Sequence, residues 1–358
     1  MFKWLRSALF GAEIASFSAD TFVVWEPCTH SHAEVVPGYV KYLLDLGFKV
    51  AVFVTPKRYA EGLFCRFDDP RIALHQRSQR AIRLLFRFGG IGKARGILIT
   101  TARKISGRPD YSREHRLFAQ RNVDQRLLIV EHDVKPAADC GALTPDIITL
   151  RAAHYGSAVT TVVNPHYFGE VAVTPKNLEL IRFITIGALR GKRRNVQLLV
   201  AAASRLHETA CSAFVITVIG RGNLRGVPHH LRRYFEIKGR VDFSTLYSEL
   251  EQSDFFLPLL DPDNAKHERY ITTGTSGSFQ LIFGFAKPCL IAEKFASRNN
   301  FDANNSLLYA NNEMLADAMK TAIEMTPACY AKMQSNLQVD AALLYQKSLE
   351  NLGNLIAT

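Results

Sequence analysis

The sequence predicts an α/β protein made of two Rossmann-like doubly wound domains facing a cleft. Apolar, β-branched runs alternate with longer segments of helical periodicity, the pattern of βαβ units and parallel sheets. The alternation occurs as two separate series, one before residue 150 and one after residue 180. The chain has 358 residues, of which 47% are hydrophobic and 22% charged. This length and composition are typical of a globular chain with two domains.

The first series contains four predicted strands and one clear helix. The helix covers residues 34–47 and ends at Gly47, a residue type that commonly closes helices. The strands are apolar and cover residues 21–27, 48–54, 94–101 and 125–133. A first domain is therefore predicted in residues 1–170, with a proline-containing linker over residues 162–177.

The second series repeats this alternation. Its predicted strands cover residues 180–189, 213–222, 254–260 and 288–292, and its helices cover residues 195–208, 243–253 and 278–286. Ligands of parallel sheets bind beyond the carboxyl ends of the strands, so chemistry is expected in the turns from strand to helix. A second domain is predicted in residues 178–325, and a closing helical region, residues 326–358, is predicted to return to the first domain.

The chain is strongly basic, with a formal net charge of +11. Its cations cluster in residues 78–89, 190–195 and 221–233. An anionic membrane or a diphosphate ligand would suit this charge. No helix-turn-helix or basic–aromatic RNA-binding motif is present, so nucleic acid is not predicted as a partner.

The cysteine pattern and the start of the chain bear on location. The six cysteines are scattered and form no CxxC pair, which indicates a reducing cytosol. No apolar run is long enough to span a bilayer. The predicted location is the cytoplasm. The basic, aromatic start, residues 1–12, fits either packing on the protein or a peripheral position on the inner face of the cytoplasmic membrane.

A turn rich in small and hydroxyl residues precedes the last helix of the second series. It reads TTGTSGS, residues 272–278. Its glycines allow close approach of a ligand, and Ser276 or Ser278 is predicted to cap the helix, whose free N–H groups attract anions. One Ser and one Gly would be enough for an ordinary capped turn. The density of small residues therefore favours a phosphate ligand, bound by Thr275, Ser276, Gly277 and Ser278.

Two further turns of the second domain have related features. The turn that begins at Gly187 carries four cations, Arg190, Lys192, Arg193 and Arg194. Such a run is either a solvated basic loop or a site where a diphosphate neutralises the charge, which Arg does well through paired donors. The third turn of this kind comes at the end of the predicted strand of residues 213–222 and contains Gly220 and Gly222.

Four segments of the second half, in this order and spacing, resemble the nucleotide-sugar glycosyltransferases of the GT-B fold. The resemblance covers about residues 180–295 and is closest to the retaining bacterial polysaccharide and lipopolysaccharide enzymes. It implies that Arg193 or Arg194 holds the donor diphosphate. It further implies nucleoside or sugar contacts from a set that comprises Gly220, Arg240, Val241, Thr273 and Gln280. The four segments read FITIGALRGKRRNVQLLVAAASRL, FVITVIGRG, IKGRVDFSTLYSELEQSDFFLPLL and GTSGSFQLIFGFAKPCLI.

The sequence departs from the family pattern at the donor site. The Arg that usually follows the strand-end Gly is Ala188 here, and Arg190 or Lys192 is the candidate to replace it. The two Glu residues that commonly precede a Lys-Pro pair fall on Thr273 and Leu281. The hydroxyl-rich turn is therefore the candidate to replace the first Glu, and Gln280 the second, as a ribose contact.

One strand of the first half ends in His132-Asp133 and is similar to the acceptor-domain strand of the same enzymes. The similarity implies that His132 contacts the donor sugar, oriented by Asp133 or Glu131. The turn after the first strand carries His30 and His32. Acceptor binding or general-base catalysis is favoured for this pair over a metal site, because no third and fourth ligand follows at a suitable spacing.

The resemblance implies a hexosyltransferase-like enzyme. It would move a sugar from a nucleotide-diphosphate sugar to a saccharide or lipid-linked glycan acceptor in bacterial surface polysaccharide or lipopolysaccharide synthesis. Cationic side chains and helix N-termini can stabilise the leaving diphosphate, so neither a cofactor nor a metal is expected. Retaining and inverting outcomes both remain open. The alternatives are a sugar-nucleotide epimerase of the same fold and a non-catalytic basic scaffold for nucleic acid or membrane. A dinucleotide dehydrogenase is disfavoured, because no GxGxxG with a downstream acid is present.

Overall fold

The chain forms two compact units. The first comprises Met1–Gly169, Thr273–Thr275 and Leu344–Thr358, and the second comprises Glu170–Thr272 and Ser276–Leu343. The contacts thus place Thr273–Thr275 in the first unit, whereas the sequence placed them in the second domain. The structure is a computed structural model that describes residues 16–28, 32–102, 104–105, 108–109, 124–139, 141, 143–144, 147–153, 160–187, 196–220 and 226–357.

The first unit contains a parallel sheet of seven strands in the order β3-β2-β1-β4-β7-β8-β9. The chain winds outward from β1 in one direction and from β4 in the other, so the switch point of this doubly wound sheet lies between β1 and β4. The described strands of the unit are β1 (Thr21–Trp25), β2 (Lys49–Val54), β3 (Ile72–Gln76), β4 (Gly96–Ile99), the two-residue hairpin strands β5 (Lys104–Ile105) and β6 (Arg108–Pro109), β7 (Arg126–Glu131), β8 (Ile147–Thr149) and β9 (Thr161–Val162).

The described α-helices between these strands are α1 (Val36–Asp45), α2 (Pro56–Ala60), α3 (Gln79–Gly89) and α4 (Lys135–Asp139). The core shows why α3 lies on the sheet. Alternate residues of a strand face the same side, and on one side of β1 these are Val23 and Trp25. They belong to one buried cluster with Ile82, Leu85 and Phe86 of α3. The apolar face of α3 therefore packs on the sheet, while its basic face points away from this core.

The second unit contains a parallel sheet of six strands in the order β12-β11-β10-β13-β14-β15. Its switch point lies between β10 and β13. Its described strands are β10 (Ile181–Ile186), β11 (Phe214–Ile219), β12 (Phe235–Gly239), β13 (Phe255–Phe256), β14 (Cys289–Ala292) and β15 (Ser306–Tyr309), and its α-helices are α5 (Val196–Glu208), α6 (Phe243–Gln252), α7 (Gly277–Gly284), α8 (Glu293–Ala296), α9 (Leu315–Glu324) and the larger part of α10 (Pro327–Ala357). Both units are thus Rossmann-like, as predicted.

One predicted strand is much shorter than expected. The sequence predicted residues 254–260, but β13 contains two residues. Leu257 still donates its N–H to the Ile184 carbonyl. Pro258 follows and has no N–H to continue the ladder, and Leu259 has a positive φ of 50°. The apolar run is buried, but it leaves the sheet at the proline.

The predicted closing helical region is one helix, α10, which runs without a break from Pro327 to Ala357. Its final part belongs to the first unit. There the Ser348 hydroxyl accepts a hydrogen bond from the Asn164 backbone N–H at 3.0 Å. The Asn351 amide donates to the Val162 carbonyl at 2.8 Å. These bonds satisfy backbone groups at β9 and just after it.

A buried lysine stabilises the amino-terminal edge of the second sheet. Lys287 is 0% exposed and donates to the Thr174 hydroxyl and to the carbonyls of Glu251 and Ser253, at 2.7 to 2.9 Å. Burial lowers its pKa to about 8, although the nearby Asp254 opposes the shift. Lys287 precedes β14, so it lies at the edge opposite to the one where ligands of such sheets bind. Its contacts indicate a structural role.

Candidate active site

Polar side chains collect at the carboxyl edge of the first sheet, next to its switch point. Glu26 follows β1, Thr100 and Thr101 follow β4, and His132 follows β7. Neighbouring parallel strands end at the same edge, so residues far apart in sequence meet there. Hydrogen bonds join these residues into one network.

His132 has a defined ring orientation. Its Nε2 lies 3.1 Å from the Thr100 carbonyl oxygen. A carbonyl oxygen can only accept, so this nitrogen carries the proton and the tautomer is assigned from the bond. The ring of His32 stacks against that of His132 with centroids 4.1 Å apart. His32 has a left-handed backbone, φ 70°, a conformation that costs energy for a residue with a side chain and is found disproportionately at functional sites.

The predicted catalytic residues thus meet only in part. His32 and His132 are in contact, while His30 lies outside the described residues. Asp133 or Glu131 was predicted to orient His132, and this role stays a prediction. The Oδ1 of Asp133 accepts the Thr273 hydroxyl at 2.9 Å and the Lys135 N–H at 3.2 Å. The Thr100 carbonyl and the stacked ring of His32 both contact the His132 ring.

The turn Thr273–Thr275 pairs with the end of β7. The Val134 N–H donates to the Thr273 carbonyl at 2.9 Å, and the Thr275 N–H donates to the His132 carbonyl at 3.1 Å. Asp133 and Gly274 thereby form an antiparallel bridge. The end of β7 and this turn, which lie 140 positions apart in the sequence, are thus hydrogen-bonded to each other within the first unit.

Arg151 supports the same turn. Its side chain is buried, and its Nε donates to the Gly274 carbonyl at 2.8 Å. It follows β8, a three-residue strand too short to be recognised from periodicity. The sequence interpretation therefore missed Arg151, although its position directly after an apolar run, IITL, was a usable signal.

Glu26 is the second residue that the sequence interpretation missed. Its side chain is 0% exposed and accepts hydrogen bonds from the Thr100 hydroxyl at 2.6 Å, the Thr101 hydroxyl at 3.2 Å and the Cys28 N–H. Burial raises its pKa to about 7, against the lowering effect of these bonds. A carboxyl that changes charge near neutral pH at a strand end is typical of functional sites.

The start of α7 lies in the second unit and contains most of the predicted phosphate contacts. Ser276 is the N-cap residue, but its side chain makes no capping hydrogen bond, which corrects the predicted cap. The residues Ser276, Ser278 and Gln280 are buried. Within the described part of the chain, neither amide atom of Gln280 has a hydrogen-bond partner, and the same holds for the Thr275 hydroxyl. Buried polar groups normally have partners, so the Gln280 amide indicates a place for a polar ligand in the second unit.

Glycines bring two strand ends of the second unit close together. The Gly187 N–H donates to the Ile219 carbonyl and the Gly220 N–H to the Gly239 carbonyl, both at 2.8 Å. A Cβ at Gly220 would lie 2.1 Å from the Gly187 carbonyl oxygen. With φ values of 136° and 146°, Gly187 and Gly220 also adopt a backbone that other residues rarely adopt. At Gly187 and Gly220 these strand ends therefore present backbone.

The remaining predicted donor contacts are only partly visible. Arg190, Lys192, Arg193 and Arg194 lie outside the described residues. Arg240 is exposed and Val241 half-buried, directly after β12. Their predicted contacts with the nucleotide stay predictions.

Comparison with known proteins rests on structure. No family model and no curated protein matches the sequence. The fold is similar to that of WaaG, a glycosyltransferase involved in lipopolysaccharide biosynthesis, with a TM-score of 0.50 and 14% identity over 94% of this chain and 99% of that one. A glycosyltransferase from Rickettsia africae ESF-5 has a TM-score of 0.51 and 12% identity, over 94% and 97% of the two chains. The chain has the GT-B fold.

A third similar GT-B structure carries a ligand. It is described as trehalose-6-phosphate from E. coli bound with UDP-2-fluoro glucose, and matches with a TM-score of 0.52 and 12% identity over 94% of this chain and 99% of that one. At such identities the likeness concerns the fold. Within the GT-B fold of this chain, His132 lies at the carboxyl edge of the first sheet, while Gly187 and Gly220 lie at that of the second.

Proposed function

We propose that this protein transfers a glycosyl group from a nucleotide-diphosphate sugar to a hydroxyl group of an acceptor. The observation that carries the proposal is the pairing of the His132 strand end with the turn Thr273–Thr275. It joins the histidine predicted to contact the donor sugar to hydroxyl side chains predicted to contact the sugar and the diphosphate. The GT-B fold supports the proposal, because its solved neighbours include glycosyltransferases and a complex with UDP-2-fluoro glucose.

The chemistry requires this chain to stabilise the leaving diphosphate and to activate the acceptor hydroxyl. The bond from the anomeric carbon to the diphosphate oxygen breaks, and the leaving diphosphate needs positive charge. Arg193, Arg194 and the N-terminus of α7 are the groups proposed to supply it, without a metal. The acceptor oxygen forms the new bond, and its proton passes to the leaving diphosphate in a retaining transfer or to a histidine base in an inverting one. His132, held by Thr100, is proposed to contact the sugar at that stage and His32 to act beside it.

Binding of nucleotides tests this proposal directly. We expect one of UDP, GDP, ADP and CMP to raise the thermal midpoint, because a ligand at a hundredfold excess over its Kd stabilises the folded state by about 2.7 kcal/mol. The matching nucleotide sugar should then lose its sugar in the presence of saccharide or lipid-linked acceptors. No response to any nucleotide would contradict the proposal, and conversion of the nucleotide sugar to its epimer without an acceptor would favour the epimerase.

The proposed acceptor is a saccharide or lipid-linked glycan of bacterial surface polysaccharide or lipopolysaccharide synthesis, and the proposed sugar is a hexose. The support is the resemblance of the donor segments and the similarity of the fold to WaaG, which is described as acting in lipopolysaccharide biosynthesis. A cytoplasmic location with peripheral contact to an anionic membrane completes the proposal. None of the helices in the described part of the chain has the length and apolar character needed to cross a bilayer.

Helix α3 is the described surface that best fits such membrane contact. Residues 80, 83, 84, 87 and 88 share one side of a helix at 3.6 residues per turn. These are three arginines with Leu84 and Phe88, and the helix contains no acidic residue. Phe88 is 44% exposed. A basic face with an exposed aromatic side chain is typical of helices that lie in the headgroup region of anionic bilayers.

We expect the protein to sediment with anionic vesicles at low salt and to be released at high salt. Each basic residue near an acidic leaflet contributes about 1 kcal/mol, and the attraction is screened within a Debye length. Arg80→Ala with Arg87→Ala should weaken sedimentation roughly tenfold or more, and deletion of residues 1–12 should weaken it further. Arg232→Ala with Lys332→Ala removes the same charge from exposed positions of the second unit and serves as the control. Equal sedimentation with neutral and anionic vesicles would contradict membrane attraction by charge.

A further inference from the structure

The carboxyl of Glu26 and the ring of His132 contact the same residue. The Thr100 hydroxyl donates to Glu26 Oε2 at 2.6 Å, and the Thr100 carbonyl accepts from His132 Nε2 at 3.1 Å. The Thr101 hydroxyl is a second donor to Glu26 Oε2, at 3.2 Å. In the turn after β4, the hydroxyls of Thr100 and Thr101 therefore bind Glu26, while the Thr100 carbonyl binds His132.

The Thr100 hydroxyl has two acceptors within reach. Besides Glu26, the Trp25 carbonyl lies 3.3 Å from this hydroxyl. When Glu26 is charged, its oxygens only accept, and the hydroxyls of Thr100 and Thr101 both donate to it. When Glu26 is protonated, its O–H can donate to the Thr100 hydroxyl, which then donates to Trp25. The hydrogen bonds that hold this turn thus depend on one buried proton.

The surroundings place that proton change near neutral pH. Burial is the largest cause of the raised pKa of Glu26, and the nearby Glu34 raises it further, while bonds from Thr100, the Cys28 N–H and Thr101 lower it. Among the described residues, the titratable groups near this turn include the stacked His32 and His132 and the thiol of Cys28, whose N–H is bonded to Glu26. Hydrogen bonds to a carboxylate are stronger than those to its neutral form, so the turn is held most firmly above this pKa.

We propose that Glu26 is a positioning residue for His132. Glu26 acts through the Thr100–Thr101 turn, and when its carboxyl is charged it holds the His132 ring as the Nε2–H tautomer. The importance of this for catalysis rests on the proposed function of His132. The hydrogen-bond coupling itself does not, and it can be tested without any substrate.

The test is NMR of the full-length protein with ¹⁵N-labelled histidine and ¹³C-carboxyl-labelled glutamate. The resonances are assigned with Glu26→Gln and His132→Asn. We expect one glutamate carboxyl to titrate near pH 7 and to disappear in Glu26→Gln, since burial raises the pKa of Glu26 to about 7. At pH 8.5 the wild-type His132 ring should be the Nε2–H tautomer. In Glu26→Gln the turn loses its charged acceptor, so the Thr100 carbonyl is held less firmly against Nε2 and a fraction of the His132 rings should adopt the Nδ1–H tautomer.

Two variants make the result specific. Glu34→Gln removes the neighbouring carboxyl but no bond to the turn, so it should leave the His132 tautomer unchanged. Thr100→Val keeps the carbonyl but removes the hydroxyl, so it should reproduce the effect of Glu26→Gln. If Glu26→Gln does not fold, Thr100→Val takes its place in the test. An unchanged His132 tautomer in folded Glu26→Gln and Thr100→Val would overturn the proposal, whatever the protein's activity.

The thermal midpoint gives a second readout with a defined sign. The folded pKa of Glu26 lies above its unfolded value, so its contribution to stability is complete below the unfolded pKa and is lost as pH rises through about 7. The midpoint of the wild type should therefore fall relative to that of Glu26→Gln between pH 6 and pH 8. A constant difference between the two proteins over this range would show that Glu26 does not titrate there.

Discussion

Replacing His132 with alanine is expected to lower the turnover of sugar transfer about 100- to 1,000-fold, the usual contribution of a positioned acid–base group. The affinity for the nucleoside diphosphate should change much less, because His132 is expected to contact the donor sugar, which a nucleoside diphosphate lacks. Steady-state kinetics with the identified donor and a nucleotide titration measure the two effects separately.

Two variants serve as references for the histidine. His132→Gln places an amide nitrogen near the position of Nε2, so it can still donate to the Thr100 carbonyl but cannot exchange a proton near neutral pH, which separates this hydrogen bond from acid–base catalysis. His229→Ala removes an exposed histidine of the second unit and should leave both quantities unchanged. Full turnover in His132→Ala would assign the residue a structural role at the strand end.

Removing two cations from the turn after Gly187 is expected to weaken nucleotide binding about 100-fold or more. Hydrogen bonds to charged groups contribute about 1.5 to 3 kcal/mol each, and Arg193→Ala with Arg194→Ala would remove two such donors to phosphate. Isothermal titration with the nucleotide selected by the thermal panel measures the loss. The nucleoside without phosphates, which makes none of these contacts, should bind wild type and variant alike.

A matched pair of substitutions controls for the change in net charge. Arg232→Ala with Lys332→Ala also removes two cations from the second unit, at exposed positions, and Arg232 precedes β12 at the opposite edge of the sheet from the predicted site. This pair should reduce affinity only slightly, by long-range attraction that salt screens. Equal losses in the two double variants would mean that net charge, and not contact with the diphosphate, determines binding.

The elements with strong local periodicity were predicted well. The strand of residues 180–189 and the helix of residues 195–208 appear as Ile181–Ile186 and Val196–Glu208. Short or edge elements were missed, including β8 and β15, because a run of three or four residues has no clear period. Helix α3 was noticed only as a basic cluster, although Ser78 caps it and its apolar positions have helical spacing.

The sequence alone determined the fold class and the chemistry of the turns. Strand periodicity, glycines at strand ends and the composition TTGTSGS are local properties, so they can be identified without knowing what surrounds them. The tertiary structure decided which of these residues meet. Asp133 bonds to Thr273 and His132 bonds to Thr100 because parallel strands end at one edge of the sheet. The raised pKa of Glu26 also depends on tertiary structure, because it comes from burial among groups that the chain brings together only on folding.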